Sequence, residues 1–184
     1  MDIGNSLSSW RNISTASHFY EGKGYTYYPT AWAVEEEFHR VTFDGALSPL
    51  TTDTYLVGSA EQSFVKDFIS LPVDTFLYAI SPCFRLADAE KSPYHHAYFL
   101  KLELFYRGSS QLKNKGALTK VIFDADTFFT TLGAICALHK LSEESYDLEI
   151  KGVEVGSYGI RTTKAGSFCY GTGLAEPRFS LTQI

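Results

Sequence analysis

Apolar and polar positions alternate most regularly over residues 97–106. There Tyr98, Leu100, Leu102 and Leu104 fall on one face of an extended chain, and Phe99, Lys101, Glu103 and Phe105 on the other. The pattern predicts a strand from Ala97 to Tyr106. Phe76 to Phe84 reads as the strand before it, and a polar loop joins the two as a hairpin. Tyr146 to Ile150, Val153 to Ser157 and Phe168 to Leu174 read as further strands separated by glycines. Spacing near four predicts helices. One covers Ser59 to Phe68, with Ala60, Phe64 and Phe68 on its apolar face. A second starts at Asp124 or Asp126 as N-cap and runs to about Leu141, with Phe128, Leu132, Ile135 and Leu138 as its stripe. Ser9 to Tyr20 forms a third, which Gly22 and Gly24 end before an extended run to Pro29. Locally joined strands with few helices imply an α+β fold, a mainly antiparallel sheet flanked by helices.

At 184 residues and 45% apolar content the chain can bury one sizeable core, and no repeat, low-complexity tract or linker marks a boundary. A single domain over residues 1–184 is expected. The net charge of -5 and pI near 5.5 argue against a broad nucleic-acid binder, which needs clustered Lys and Arg. Cys83, Cys136 and Cys169 are too scattered for a zinc motif and too few for a disulfide scaffold, which fits a reducing cytosol. No segment approaches the roughly 20 apolar residues of a membrane span. The glycosylation sequon at Asn12 is short enough to arise by chance and is set aside.

The chemistry concentrates in SPCFRLADAEKSPYHHAYFLKLE, residues 81–103. Arg85 ends one strand and Phe99 lies on the returning one, so a guanidinium and an aromatic face share a hairpin. That pair suits a nucleotide: the guanidinium pairs with phosphate oxygens and the ring stacks on a purine. A surface salt bridge and a core Phe are the alternative for such residues taken singly. The stretch resembles motif 2 of the class II aminoacyl-tRNA synthetases, a Phe-Arg strand end followed by a loop and a His-x-x-Phe-x-x-x-Glu strand. His96, Phe99 and Glu103 match that spacing, while Ala87 and Tyr98 stand where the family has acidic residues. The resemblance implies that Arg85 contacts the ATP α-phosphate and that Phe99 stacks on adenine.

Further stretches follow in the family's order. YDLEIKGVEVGSYGIR is similar to a strand pair of the aspartate, asparagine and lysine subgroup, and places Asp147 and Glu154 where that subgroup holds magnesium against the ATP phosphates. YGTGLAEPRF is similar to motif 3. Gly171 and Gly173 would let the backbone approach the nucleotide and Arg178 would bind the γ-phosphate, with Ala175 and Pro177 as departures and the chain ending before the helix that normally follows. GKGYTYYPTAWAV resembles motif 1, with Pro29 at a homodimer interface. GSAEQ resembles the loop that holds the substrate ammonium, which points to Ser59, Glu61 and Gln62, Glu61 first because carboxylate and ammonium form a charge-assisted pair. Arg161 matches the position that contacts the side-chain oxygen of aspartate or asparagine, although Phe64 replaces a lysine of the aspartate enzymes. His95 and His96 sit in the motif 2 loop and are read as solvent-exposed residues, with contact to ATP or an acceptor as the alternative.

The resemblance thus implies a cytoplasmic, homodimeric ligase using ATP and magnesium. Arg85 and Arg178 would be its catalytic cations, and an Asp-like or Asn-like amino acid its substrate. A small amine or ammonia would accept the acyl group, because no anticodon-binding domain and no basic surface are evident. A tRNA ligase working with a separate tRNA-binding partner, and a noncatalytic paralogue, are the alternatives.

Overall fold

The computed structural model describes residues 3–88 and 91–184, with side chains from residue 7 onward. Its elements are α1 (Ile3–Gly22), β1 (Thr26–Tyr27), β2 (Ala33–Glu35), α2 (Glu36–His39), β3 (Ser48–Pro49), β4 (Thr54–Leu56), α3 (Glu61–Lys66), β5 (Phe76–Phe84), β6 (Tyr98–Tyr106), α4 (Gln111–Thr131), β7 (Ala137–Ser142), β8 (Ser145–Ile150), β9 (Val153–Thr163), β10 (Gly166–Glu176) and α5 (Arg178–Thr182). A seven-stranded sheet runs in the order β1-β5-β6-β10-β9-β8-β7, and β2-β4-β3 make a small separate sheet. Every pairing in the large sheet is antiparallel except β1 with β5.

The β5–β6 hairpin forms as its alternation predicts, in unbroken register from Phe76 opposite Tyr106 to Phe84 opposite Tyr98. Alternation gives the sheet two unlike faces. Tyr78, Leu102, Leu104, Tyr158, Cys169 and Leu174 pack under α1 and α4 in one core. On the opposite face Phe64 of α3 stacks on Phe105 at 4.5 Å, and Phe105 stacks on Phe168 at 4.8 Å. This second core covers only part of its face, and charged side chains occupy the remainder.

The expected helix from Asp124 to Leu141 is displaced. α4 begins at Gln111, where the Ser110 side chain accepts from Lys113 N, and it ends at Thr131. Its buried face is Ala117, Leu118, Val121, Ala125, Phe128 and Phe129. Asp124, far from being a cap, is buried within the helix, paired with Lys120 and accepting from Tyr25 Oη at 3.1 Å. Gly133, at φ 81°, follows the helix end in the left-handed conformation that glycine tolerates, so Ile135 and Leu138 never join the stripe and stand exposed. Ala137–Ser142 is instead the outermost strand of the sheet, exposed along its whole length. Three smaller departures accompany this one. α1 starts before Ser9, β9 continues past Ser157 to Thr163, and a short helix, α5, does follow the glycine-rich strand.

Candidate active site

The hairpin turn brings Arg85 back over β6. Its backbone N–H donates to Ala97 O at 2.8 Å, and its Nε donates to Gly58 O at 2.9 Å. The guanidinium lies 5.4 Å from the centre of the Phe99 ring and 5.6 Å from that of Phe43. Among the described residues no carboxylate stands within ion-pair distance of it. Among the described residues Arg85 is therefore a clamped cation without an ion-pair partner. It lines a narrow cleft with Phe99, Tyr94, His95, His96, Pro177, Arg178 and Asp88, whose carboxylate pairs with Lys91. Residues from the hairpin and from the chain's last helix, 79 positions away, meet there. The two histidines are not the solvent-exposed groups expected. Both line the cleft, His95 Nδ1 shares a hydrogen bond with Ser92 Oγ at 2.7 Å, and His96 Nε2 is buried without a partner.

Arg178 opens α5 and pairs with Glu154 of β9 at 3.2 Å. Asp147 lies on β8 opposite Ser157. Burial pushes its carboxyl above the usual range; a hydrogen bond from Ser157 opposes this, and the charges of Glu154 and Glu149 add to it. Its Oδ1 is buried without a partner. Among the described residues no group of three or more His, Cys, Asp or Glu is arranged to hold a metal. An orphaned carboxylate oxygen beside a second acid nevertheless fits magnesium, which takes one or two protein carboxylates and fills its shell with phosphate and water.

Gly171 and Gly173 have a packing reason for being glycine. A Cβ on Gly171 would sit 2.5 Å from Val121 and 2.7 Å from Tyr158, and one on Gly173 would sit 2.5 Å from Leu102 and 2.8 Å from Tyr20. The close approach they permit here is by these core groups, with Tyr20 Oη donating to Gly173 O and Tyr158 Oη to Thr172 O.

Beyond the cleft, the same sheet face holds two ion pairs. Arg161 Nε donates to Glu61 Oε1 at 2.8 Å, and the guanidinium lies 5.1 Å from the Tyr170 ring centre. Lys101 Nζ is 2.9 Å from Glu103. Burial raises the Glu61 carboxyl above its ordinary range while Arg161 draws it back. Ser59 Oγ donates to Glu103 Oε2, and Gln62 Oε1 accepts from Gly58 N at 2.8 Å. Ser59 thus ties the loop that enters α3 to β6, and Gln62 holds that loop from within. Glu61 and Arg161, assigned separately from sequence to ammonium and side chain, meet each other. Phe43, Lys101 and Tyr170 are site neighbours that the sequence reading passed over. Lys101 alone had a signal, its place between Phe99 and Glu103 on the polar side of β6.

No protein-family model matches the chain, and no curated protein matches it. Solved structures do. Seryl-tRNA synthetase from Pyrococcus horikoshii complexed with ATP is similar with a TM-score of 0.83 and 18% identity, over 96% of this chain and 50% of that one. Cytoplasmic serine-tRNA ligase from Naegleria fowleri in complex with AMP gives 0.75 and 20%, over 93% and 47%. Pyrrolysyl-tRNA synthetase from Desulfitobacterium hafniense gives 0.73 and 9%, over 95% and 68%. The chain spans about half the length of the two seryl enzymes. None of these three is an aspartate, asparagine or lysine enzyme. At such identities the likeness establishes the fold, and the fold is that of the class II aminoacyl-tRNA synthetase core.

Proposed function

We propose that this chain activates an amino acid with ATP, forming an aminoacyl-adenylate and pyrophosphate. The observation that carries the reading is Arg85, a partly buried cation held by Gly58 and two aromatic rings and facing a cleft whose one carboxylate among the described lining residues, Asp88, is paired with Lys91. Such a group is preorganised for an anion. Two of the similar structures are complexes with ATP and with AMP, which supports a nucleotide as that anion.

In the reaction an oxygen of the substrate carboxylate bonds to the α-phosphorus, the bond from that phosphorus to the bridging oxygen breaks, and pyrophosphate leaves with the electron pair. No proton has to move. Catalysis therefore reduces to neutralising phosphate charge and holding the carboxylate in line. Arg85 serves the α-phosphate, Phe99 stacks on adenine, and Arg178 exchanges Glu154 for the γ-phosphate. Asp147 and Glu154 would hold magnesium, which neutralises phosphate charge when bound. Gly171 and Gly173 set the course of β10 along the nucleotide. An amino acid with a polar side chain enters between Glu61 and Arg161, its ammonium on Glu61 and its side-chain oxygen on Arg161, while Ser59 and Gln62 hold the loop beneath. One ion pair becomes two, which is the support for an Asp-like or Asn-like substrate.

The net charge of -5 favours a small amine or ammonia as acceptor over tRNA. We place these steps in one domain and in the cytosol, where the three free cysteines are at home. No helix among the described residues is long and apolar enough to cross a membrane. Exposed Trp10, Tyr27 and Trp32 line a groove beside the edge strand β1, close in sequence to Pro29, and we assign that face to a homodimer. Pyrophosphate exchange screened over the twenty amino acids tests the activity. Exchange with an acidic or amide amino acid is expected, and ATP binding without exchange would leave a noncatalytic paralogue.

A further inference from the structure

The activation just proposed uses three cations, Arg85, Arg161 and Arg178. A fourth, Lys101, projects from the same face of β6, two residues from Phe99 and two from Glu103, hence about 7 Å along the strand from each. Its side chain is 12% exposed and that of Glu103 is 1% exposed. Lys101 Nζ stands 2.9 Å from both Glu103 oxygens, and Glu103 is itself fixed by the Ser59 hydroxyl. An ammonium has three donors, and among the described residues the two Glu103 oxygens are the acceptors within reach of Lys101, which leaves its third donor for a ligand. Two buried neighbours lie within reach of these charges. Cys83, opposite Phe99 on β5, feels the charges of Lys101, Glu103 and Arg85, and Glu61 feels those of Glu103 and Lys101.

We propose that Lys101 binds the reacting carboxylate of the substrate, between the nucleotide at Arg85 and the ammonium at Glu61. The inference rests on the adenylation reading. In that reaction one anion, the carboxylate, must be brought against another, the triphosphate, in a half-buried site, and a cation between them removes most of the repulsion. Arg85 belongs to the phosphate end, and Arg161 to the substrate side chain beside Glu61. Lys101 is the cation at the intermediate position on β6. Its pairing with a fixed carboxylate holds the ammonium at one height above the sheet, and a merely stabilising pair would gain nothing over the apolar residues that line the reverse side of the same strand.

The test compares the amino acid that exchanges fastest with its amino alcohol, which keeps the ammonium and side chain and lacks the carboxylate. Calorimetric binding of both is measured on the full chain, for wild type, Lys101→Met and Lys101→Arg, with ATP binding beside it. The expected result for Lys101→Met is a loss of roughly ten- to a hundredfold for the amino acid and little for the alcohol. Lys101→Arg should recover part of the loss, and ATP should bind as before. Equal weakening of acid and alcohol, or no weakening, overturns the assignment and leaves Lys101 as the counter-ion of Glu103. If Lys101→Met does not fold, Lys101→Met/Glu103→Gln removes both charges together and carries the same expectation. A wild type that exchanges with no amino acid sinks the activation reading and this one with it, whereas exchange with unaltered discrimination in the variant sinks only the role of Lys101.

Discussion

The two faces of the seven-stranded sheet are built from the same strands and differ in what they bury. Beneath α1 and α4, β6 contributes Leu102 and Leu104 to a core that includes the wholly buried Tyr20, Phe128, Phe129 and Tyr158. On the reverse side the alternate residues of β6 are Phe99, Lys101, Glu103 and Phe105, and two ion pairs sit where a core would otherwise continue. The first face is favourable at each position through removal of apolar area from water. The second is unfavourable at each charge taken singly and tolerable because the charges are paired or clamped. Stability and chemistry are thus assigned to opposite sides of one strand set.

The largest test of that division is Phe128→Ala, which deletes a fully buried ring under the sheet and should cost about 3–5 kcal/mol of unfolding free energy. Urea titration reads it, and a loss below about 1 kcal/mol would deny that this face carries the stability. Next comes Arg85→Ala. Exchange should fall on the order of a hundred- to a thousandfold while the urea midpoint stays near wild type, because the guanidinium's contacts are two ring faces and one hydrogen bond to Gly58 O. Parallel losses of activity and stability would merge the two faces into one. Arg161→Ala should raise KM for the preferred amino acid roughly ten- to a hundredfold with little change for ATP. It should also destabilise the fold more than Arg161→Met/Glu61→Gln, since the single change strands Glu61 in a buried place.

The smallest expected effect lies where the sheet is joined to α4. Asp74, at φ 58°, accepts from Tyr106 Oη at 3.1 Å and Ser109 N at 2.8 Å and pairs with Lys113. Lys113 first, and then the Ser109 backbone, hold its carboxyl well below the usual range. A depressed carboxyl adds stability that is complete above the unfolded value, about 4, and fades as pH falls toward the folded one. Urea midpoints taken between pH 6 and pH 2 should therefore decline less steeply in Asp74→Asn than in wild type. Identical slopes would remove Asp74 from the acid response.

How much of this was legible in the chain follows the range of the interactions. The hairpin was readable because alternation is local, and Arg85 and Phe99 were readable because they sit at a strand end and its return. Arg178 joined them through order along the chain. α4 was misplaced because Asp124 and Asp126 have the chemistry of caps while Ser110, the actual cap, stands before a stretch broken by Gly116 and weak in apolar contrast. The stop at Gly133 was in the sequence and was passed over. Phe43 could not be found, because only the folding of residues 40–47 over the hairpin brings it to Arg85. The meeting of Glu61 with Arg161, 100 residues apart, likewise depends on tertiary placement.

That meeting has a bearing on how such a chain can change over generations. A replacement at Arg161 that retuned the substrate would leave Glu61 7% exposed and without its counter-ion, and a replacement at Glu61 would leave Arg161, 31% exposed, without its own. Each single step passes through a less stable protein, while the joint step does not. Drift at the two positions should therefore be correlated, and a new specificity should arrive as a double substitution or after a stabilising change elsewhere has made room for the intermediate.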